Sequence, residues 1–449
     1  MKPTFRRRLI QSIALLMLLL SGSATAACNI TITIPSALTS SDAVSWAACG
    51  SSGTTIQSAL NHVAGQGGGS VKLTGPGSVL VRSPLVVGYA TTLYGDSAVT
   101  YGMTLIGESN PPGCTYSSDG YRHFGCPIVR VSNLTANPPA GLHNATIWNL
   151  KFDGTTSGRP LTAPAVSIGN SKKVLVTNTY ATGVRYMAYE VGNSPDTDLV
   201  HVSADLTKGT GAFVDTVSGA GIWIFRSNGT LVDSAQVFAI GHYNAGYPSS
   251  TNPTRDLVLV SGSSNVDIVG SLLKYTNTAG VYVTCDPTPT SDCPGSPANP
   301  RSSNITVWDN DIQYTRQHGI DIAYTDNADV LTNRIYDVGH AGIALAGVTG
   351  GDTRFNTIKR SGKETVKLPT QSYGALLILE GTNNLTVSDN HFYGSTPAGQ
   401  TRYSVFFQPW SGTPAQTGNQ VINNQLWAGT SGYIGGASAG NTISPNTLN

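Results

Sequence analysis

Charge is scarce in this chain. Asp, Glu, Lys and Arg make up 11% of its 449 residues, with 26 basic against 25 acidic side chains. Such a balance carries no broad positive field, so no nucleic-acid partner is expected. Long apolar runs are missing too; the longest ends at Leu20 and is too short to span a bilayer. There is no Cys-x-x-Cys, and the six cysteines are not grouped with histidines, which argues against a structural metal centre. Sequence with helical spacing is confined to one short stretch. Glycine, by contrast, is abundant at 51 residues, which suits a fold made of many tight turns.

The first 26 residues read as an export signal: Lys2 and Arg6-Arg7-Arg8, a leucine-rich core, then Ala24-Thr25-Ala26 before a cut at Ala27. Its removal takes away four positive charges and no negative one, leaving 22 basic against 25 acidic residues. The chain is expected in the periplasm or outside the cell, with no membrane contact after cleavage and acting as a monomer. In that compartment the cysteines are expected as three short-range disulfides, Cys28 with Cys49, Cys114 with Cys126 and Cys285 with Cys293.

A repeat dominates the later half. Asn310, Asn333 and Asn356 are spaced 23 residues apart, each between short aliphatic runs, and each unit leads to a glycine such as Gly319 or Gly342 before the next run. A unit this small cannot bury an apolar face alone, so successive units must stack. The expected fold is an all-β parallel β-helix, each turn about 4.8 Å from the next, with the asparagines forming a ladder. Asn390 and Asn424 follow at intervals of 34, so loops are inserted into the later turns. Residues 27–449 are expected as one domain, 27–110 forming the cap and first turns and 111–449 the remaining coil.

Ile56, Leu60 and Val63 define one apolar helical face, ended by Gly67-Gly68-Gly69. This helix, the glycine triplet, the strand Val71-Lys72-Leu73, and then Thr92-Leu93-Tyr94-Gly95 and Leu105-Ile106-Gly107 resemble the entry segment of the pectin-lyase-like superfamily. That resemblance implies a right-handed parallel β-helix with a short N-terminal capping helix, and an activity on polysaccharide. The superfamily's branch motifs are not matched. Polygalacturonase patterns are only echoed, in Asp196-Thr197-Asp198, Gly241-His242-Tyr243 and Thr357-Ile358-Lys359. The Arg-x-Pro-x-x-Arg segment of calcium pectate lyases is missing, as is the Asp-Pro-His of mannuronan epimerases.

The 23-residue period also sorts side chains into outer columns. Tyr314, Asp337 and Arg360 fall in one, Gln317, His340 and Lys363 in a second, and Asp321, Ala344 and Lys367 in a third. Alignment through Gly280 and Gly319 adds Tyr275 below Tyr314 and Tyr282 below Asp321, with Trp223 earlier in the latter column and His242 near that of His318. A strip of aromatic and ionisable groups of this kind suits a sugar polymer, since rings stack on pyranoses and charges grip hydroxyls and carboxylates. The basic segment around Arg354 to Lys367 points to an acidic one.

The expected reaction is β-elimination on a uronate polysaccharide, with His318 or His340 as base. Lys363 with Arg316 or Arg360 would neutralise the carboxylate, and Asp321 or Asp337 would orient a histidine. Tyr282, Tyr314, Asp337, Arg360, His242, Tyr243 and Trp223 are the candidate substrate-binding residues. The alternatives are a glycoside hydrolase with paired carboxylates, for which no column above holds two, and a non-catalytic polysaccharide-binding or adhesin β-helix. No cofactor is assigned from the residues; calcium is the one left open, through Asp326, Asp329 and Asp196, Asp198.

Overall fold

The computed structural model describes residues 27–108, 127–132, 144–156, 159–160, 164–184, 187–206, 219–238, 255–285, 300–362, 374–379, 381–393, 402–408, 415–436 and 440–449. They form a parallel β-helix. Each full turn contributes three strands, and turns stack in register so that every strand pairs with its equivalent one turn away. In one turn these are Ser302–Trp308 on a first face, Asp311–Thr315 on a second and Ile320–Ala323 on a third. The next turn repeats them as Thr325–Leu331, Arg334–Tyr336 and Ile343–Ala346. The first two faces merge into a 26-stranded sheet, while the third is a separate sheet of 12 strands.

Inward side chains alternate with outward ones along each strand, as the two-residue period of β structure requires. Ile305, Val307, Ile312, Ile320 and Ile322 are buried, stack over the equivalent residues of neighbouring turns, and belong to one core cluster running from Cys28 to Leu426. The glycines that open the third-face strands have a steric reason. A Cβ on Gly319 would lie 2.5 Å from Ile335 Cγ2 and 2.7 Å from the Gly342 carbonyl.

The corner between the first and second faces carries the asparagine ladder. Asn333 donates from Nδ2 to the Val307 carbonyl and to Asn356 Oδ1, and its own Oδ1 accepts from the Asn310 amide and side chain. The pattern runs on through Asn390 and Asn424 to Asn446. Asn310, Asn333, Asn356, Asn390 and Asn424 each follow a residue held in the left-handed region, among them Asp309, Thr332 and Phe355. Thr332 and Phe355 resist that conformation, and the ladder's buried hydrogen bonds hold them there. A second ladder went unread in the sequence. The backbone amides of Ser171, Ser194, Ser227 and Ser263 each donate to the next serine hydroxyl, ending at Ser302. Its spacing varies from 23 to 39 residues, so no period betrays it.

The helix Ile56–Gly65 closes the N-terminal end. Thr55 and Ser58 form a reciprocal cap, and Ile56, Ala59, Leu60 and Val63 are buried. Cys28 and Cys49 are bridged, and Cys285 is disulfide-bonded. Its expected partner Cys293, the pair Cys114 and Cys126, and the signal segment all lie outside the described residues. Among the described residues no helix is long and apolar enough to cross a membrane.

Candidate functional site

The corner between the second and third faces departs from repetition. Backbone pairing along the third sheet places Trp223, Leu259, Tyr282, Asp321, Ala344 and Leu377 in one outward column, turn after turn. Tyr282 therefore stands directly beside Asp321. Leu377, and not Lys367, follows Ala344, so the 23-residue period does not hold between these two turns. Lys363 and Lys367 lie outside the described residues, as do His242 and Tyr243.

Three residues before Leu259, Tyr282, Asp321 and Ala344, the stacked turns bring Asp256, Ala279, His318 and Ala341 into a parallel column at the mouth of the corner. Small residues alternate with functional ones, and the functional ones accept from the small ones. Asp256 Oδ1 takes the Ala279 amide at 3.1 Å, and His318 Nδ1 takes the Ala341 amide at 3.2 Å. The His340 ring meets the His318 ring edge to face at 5.3 Å. Arg316 lies in the same corner, its guanidinium donating to Asn277 Oδ1.

Burial dominates the electrostatics here. It lifts the Asp321 carboxyl from 3.8 to about 7. Among the described residues Asp321 makes no hydrogen bond or ion pair that would offset this desolvation. Asp256 is also raised to about 7, first by burial and further by the charge of Asp321, against the lowering effect of Thr278 and the Ala279 amide. Tyr282 rises to about 12 through burial and the same Asp321 charge. Burial drives His318 down to about 4. The Ala341 amide occupies the Nδ1 lone pair, so the proton of the neutral ring sits on Nε2. His318 is then a neutral donor at working pH.

Other candidates lie around this centre. Tyr275, Tyr314, Asp337 and Arg360 share the left-handed position at the end of the second face. Tyr275 and Tyr314 stack at 5.0 Å and 3°. Asp337 is buried and accepts an ion pair from the half-exposed Arg360. Trp223 lies two turns from Tyr282, its indole donating to Ser261 Oγ. Asp326 pairs with Arg301, and Asp329 accepts the Asp352 amide. Among the described residues no group of three His, Cys, Asp or Glu side chains is placed to hold a metal ion.

Asp256 is the residue that sequence reasoning missed. Its turn has Leu257 where later turns have Gly280 and Gly319, so the marker used for alignment is absent. Matching Val258-Leu259-Val260 to Val281-Tyr282-Val283 would have exposed it.

The right-handed beta helix region family matches residues 258–448. None of the curated proteins matches the chain in sequence. Among solved structures, the A-module of the mannuronan C-5 epimerase AlgE6 of Azotobacter vinelandii superposes with a TM-score of 0.64 at 14% identity, covering 88% of this chain and 94% of that one. The Dettilon tailspike protein gives 0.59 at 14% identity, over 85% of this chain and 64% of the tailspike. PfbA, a surface adhesin of Streptococcus pneumoniae, gives 0.54 at 13%, over 88% and 86%. At these identities the likeness is one of fold: the chain is a right-handed parallel β-helix.

Proposed function

We propose that this protein is an exported enzyme acting on an acidic polysaccharide at the corner lined by Asp256, Tyr282, Arg316, His318, Asp321 and His340, and that its reaction begins by removing the proton beside a uronate carboxylate. The observation that carries this is Asp321: desolvated, without a hydrogen-bond partner among the described residues, and lifted to about 7. A carboxyl group that keeps its proton to neutrality can donate to a sugar carboxylate, and with Arg316 it cancels the charge that makes the neighbouring proton so weakly acidic. His340 then takes that proton. The electron pair forms the carbon–carbon double bond as the bond to the glycosidic oxygen breaks, and the Tyr282 hydroxyl protonates the departing oxygen. Neutral His318 donates from Nε2 to the developing enolate. The disulfides at Cys28–Cys49 and Cys285 support an oxidising compartment, periplasmic or extracellular. That one structural relative is a mannuronan C-5 epimerase supports a uronate polymer as the occupant.

A second reading is favoured by one observation: burial raises both Asp256 and Asp321 to about 7, and the charge of Asp321 adds to the rise at Asp256. Paired carboxyls of this kind serve glycoside hydrolysis, one as acid and the other as base or nucleophile. Products decide between the two. On a panel of polymannuronate, polygalacturonate and glycosaminoglycans, elimination yields ultraviolet-absorbing unsaturated ends, which Asp321→Asn reduces by about 10²–10⁴-fold. Reducing ends without unsaturation establish hydrolysis. Binding without turnover, equal in wild type and Asp321→Asn, overturns both and leaves a non-catalytic binder.

A further inference from the structure

The outward edge of the second face carries a feature that the corner chemistry does not use. Phe238, Lys274, Gln313, Tyr336, Lys359 and Tyr393 pair successively in register, and Trp427 follows, its amide bonded to the Phe392 carbonyl. Seven turns thus present one unbroken outward column about 29 Å long. All seven side chains are partly exposed. The column contains no carboxylate. Tyr393 and Trp427 stack at 4.4 Å, and the Lys359 ammonium lies 4.4 Å over the Tyr393 ring.

A strip of strand-surface aromatics can exist for packing alone. The lysines argue otherwise. Arg360, the very next residue to Lys359, is paired with Asp337, and Arg301, Arg354 and Lys72 likewise have acidic partners. Among the described residues neither Lys274 nor Lys359 has one. The adjacent outward column on this face adds Arg334 and His391 against a single acid, Asp311. A stacked ring pair with a cation against it, in a column that also carries Phe238, Lys274 and Tyr336 and no carboxylate, matches an extended polyanionic glycan.

We propose that this column is a second binding track for an acidic polysaccharide, lying along the coil axis one corner away from the reaction site and holding the polymer near it. This rests on the reading of the substrate as a uronate polymer. Its test is direct binding, which needs no turnover. Using Asp321→Asn as the parent protein, titration with long polymannuronate and polygalacturonate is compared with further variants, Tyr393→Ala/Trp427→Ala and Lys274→Gln/Lys359→Gln. The aromatic pair is expected to weaken polymer binding about tenfold. The lysine pair, which leaves the stacked Tyr393 and Trp427 rings intact, is expected to weaken it and to flatten its dependence on salt. In the active background, the same variants should raise KM for the polymer and leave turnover of a short oligosaccharide unchanged.

Unchanged polymer affinity in both double variants, each melting like its parent, overturns the track even if the enzyme proves to be a lyase. Polymer binding that both variants weaken, in a chain with no turnover on any uronate, upholds the track while discarding the catalytic reading.

Discussion

Two corners of the same coil solve the same geometric problem in opposite ways. Where the first face bends into the second, Asn310, Asn333 and Asn356 repeat identically, and the backbone amide of each donates to the side chain of the asparagine one turn on. Where the second face bends into the third, the backbone keeps register but the residues change at each turn: Asp256, Ala279, His318, Ala341. Here the ionisable groups are desolvated, and Asp321 is left without a partner among the described residues. In a stacked repeat, repetition marks structure, and its local abandonment at constant backbone geometry marks a place where side chains face something other than themselves.

The largest effect that separates the two corners is expected from Asn333→Leu. It orphans the Asn310 amide, the Val307 carbonyl and part of the Asn356 side chain, each buried. At about 1–3 kcal/mol for each buried polar group left unpaired, the fold loses several kcal/mol. Denaturant titration should register that loss, while kcat of the remaining folded fraction stays at the wild-type value. If stability is retained, the ladder is decoration and the contrast between corners fails.

The asparagine ladder was legible because its period is short, fixed and carried by one residue type. So was the pairing of Tyr282 with Asp321, since a glycine marks the same point in both turns. The serine ladder was hidden by its unequal spacing in the chain, and Asp256 by the replacement of the marker glycine with Leu257. Lys367 was drawn into the wrong column for a related reason. A period of 23 was carried past Gly362, whereas the residue that pairs with Ala344 is Leu377, 33 positions on. The pKa shifts could not be read at all, since they arise from burial by segments distant in sequence.

The comparison sharpens with pH. The first corner's ladder holds no titrating group, so the effect of Asn333→Leu should not vary between pH 4 and 7. At the second corner, Asp256 and Asp321 rise from 3.8 to about 7 on folding. Their contribution is complete below pH 3.8 and is lost as pH rises through 7, because the unfolded chain releases protons that the fold retains. His318 falls from 6.5 to about 4, so its contribution is present above 6.5 and lost as pH drops towards 4. Two protons oppose one, and the net stability from this corner should decline with rising pH between 4 and 6.5. In Asp321→Asn the remaining aspartate and the histidine nearly cancel, leaving that window almost flat in melting-temperature profiles. A slope identical to wild type would mean that Asp321 is not desolvated as described.

The smallest effect concerns a position between the two regimes. Tyr275 and Tyr314 repeat for two turns at the left-handed end of the second face and stack almost parallel, after which the same position passes to Asp337 and Arg360. A repeating pair behaves like the first corner, and a changing column like the second. Tyr314→Ala should therefore register in both measurements, weakly. Loss of the stacked contact lowers stability by roughly 0.5–1.5 kcal/mol, and loss of a sugar-facing ring raises KM for the polymer with kcat unchanged, the sign of binding made equally in ground and transition states. Tyr314→Phe keeps the ring and should restore the stability but only those sugar contacts that do not use the hydroxyl. A variant that loses stability yet keeps its KM would assign this column wholly to the scaffold and draw the edge of the functional corner at Arg316.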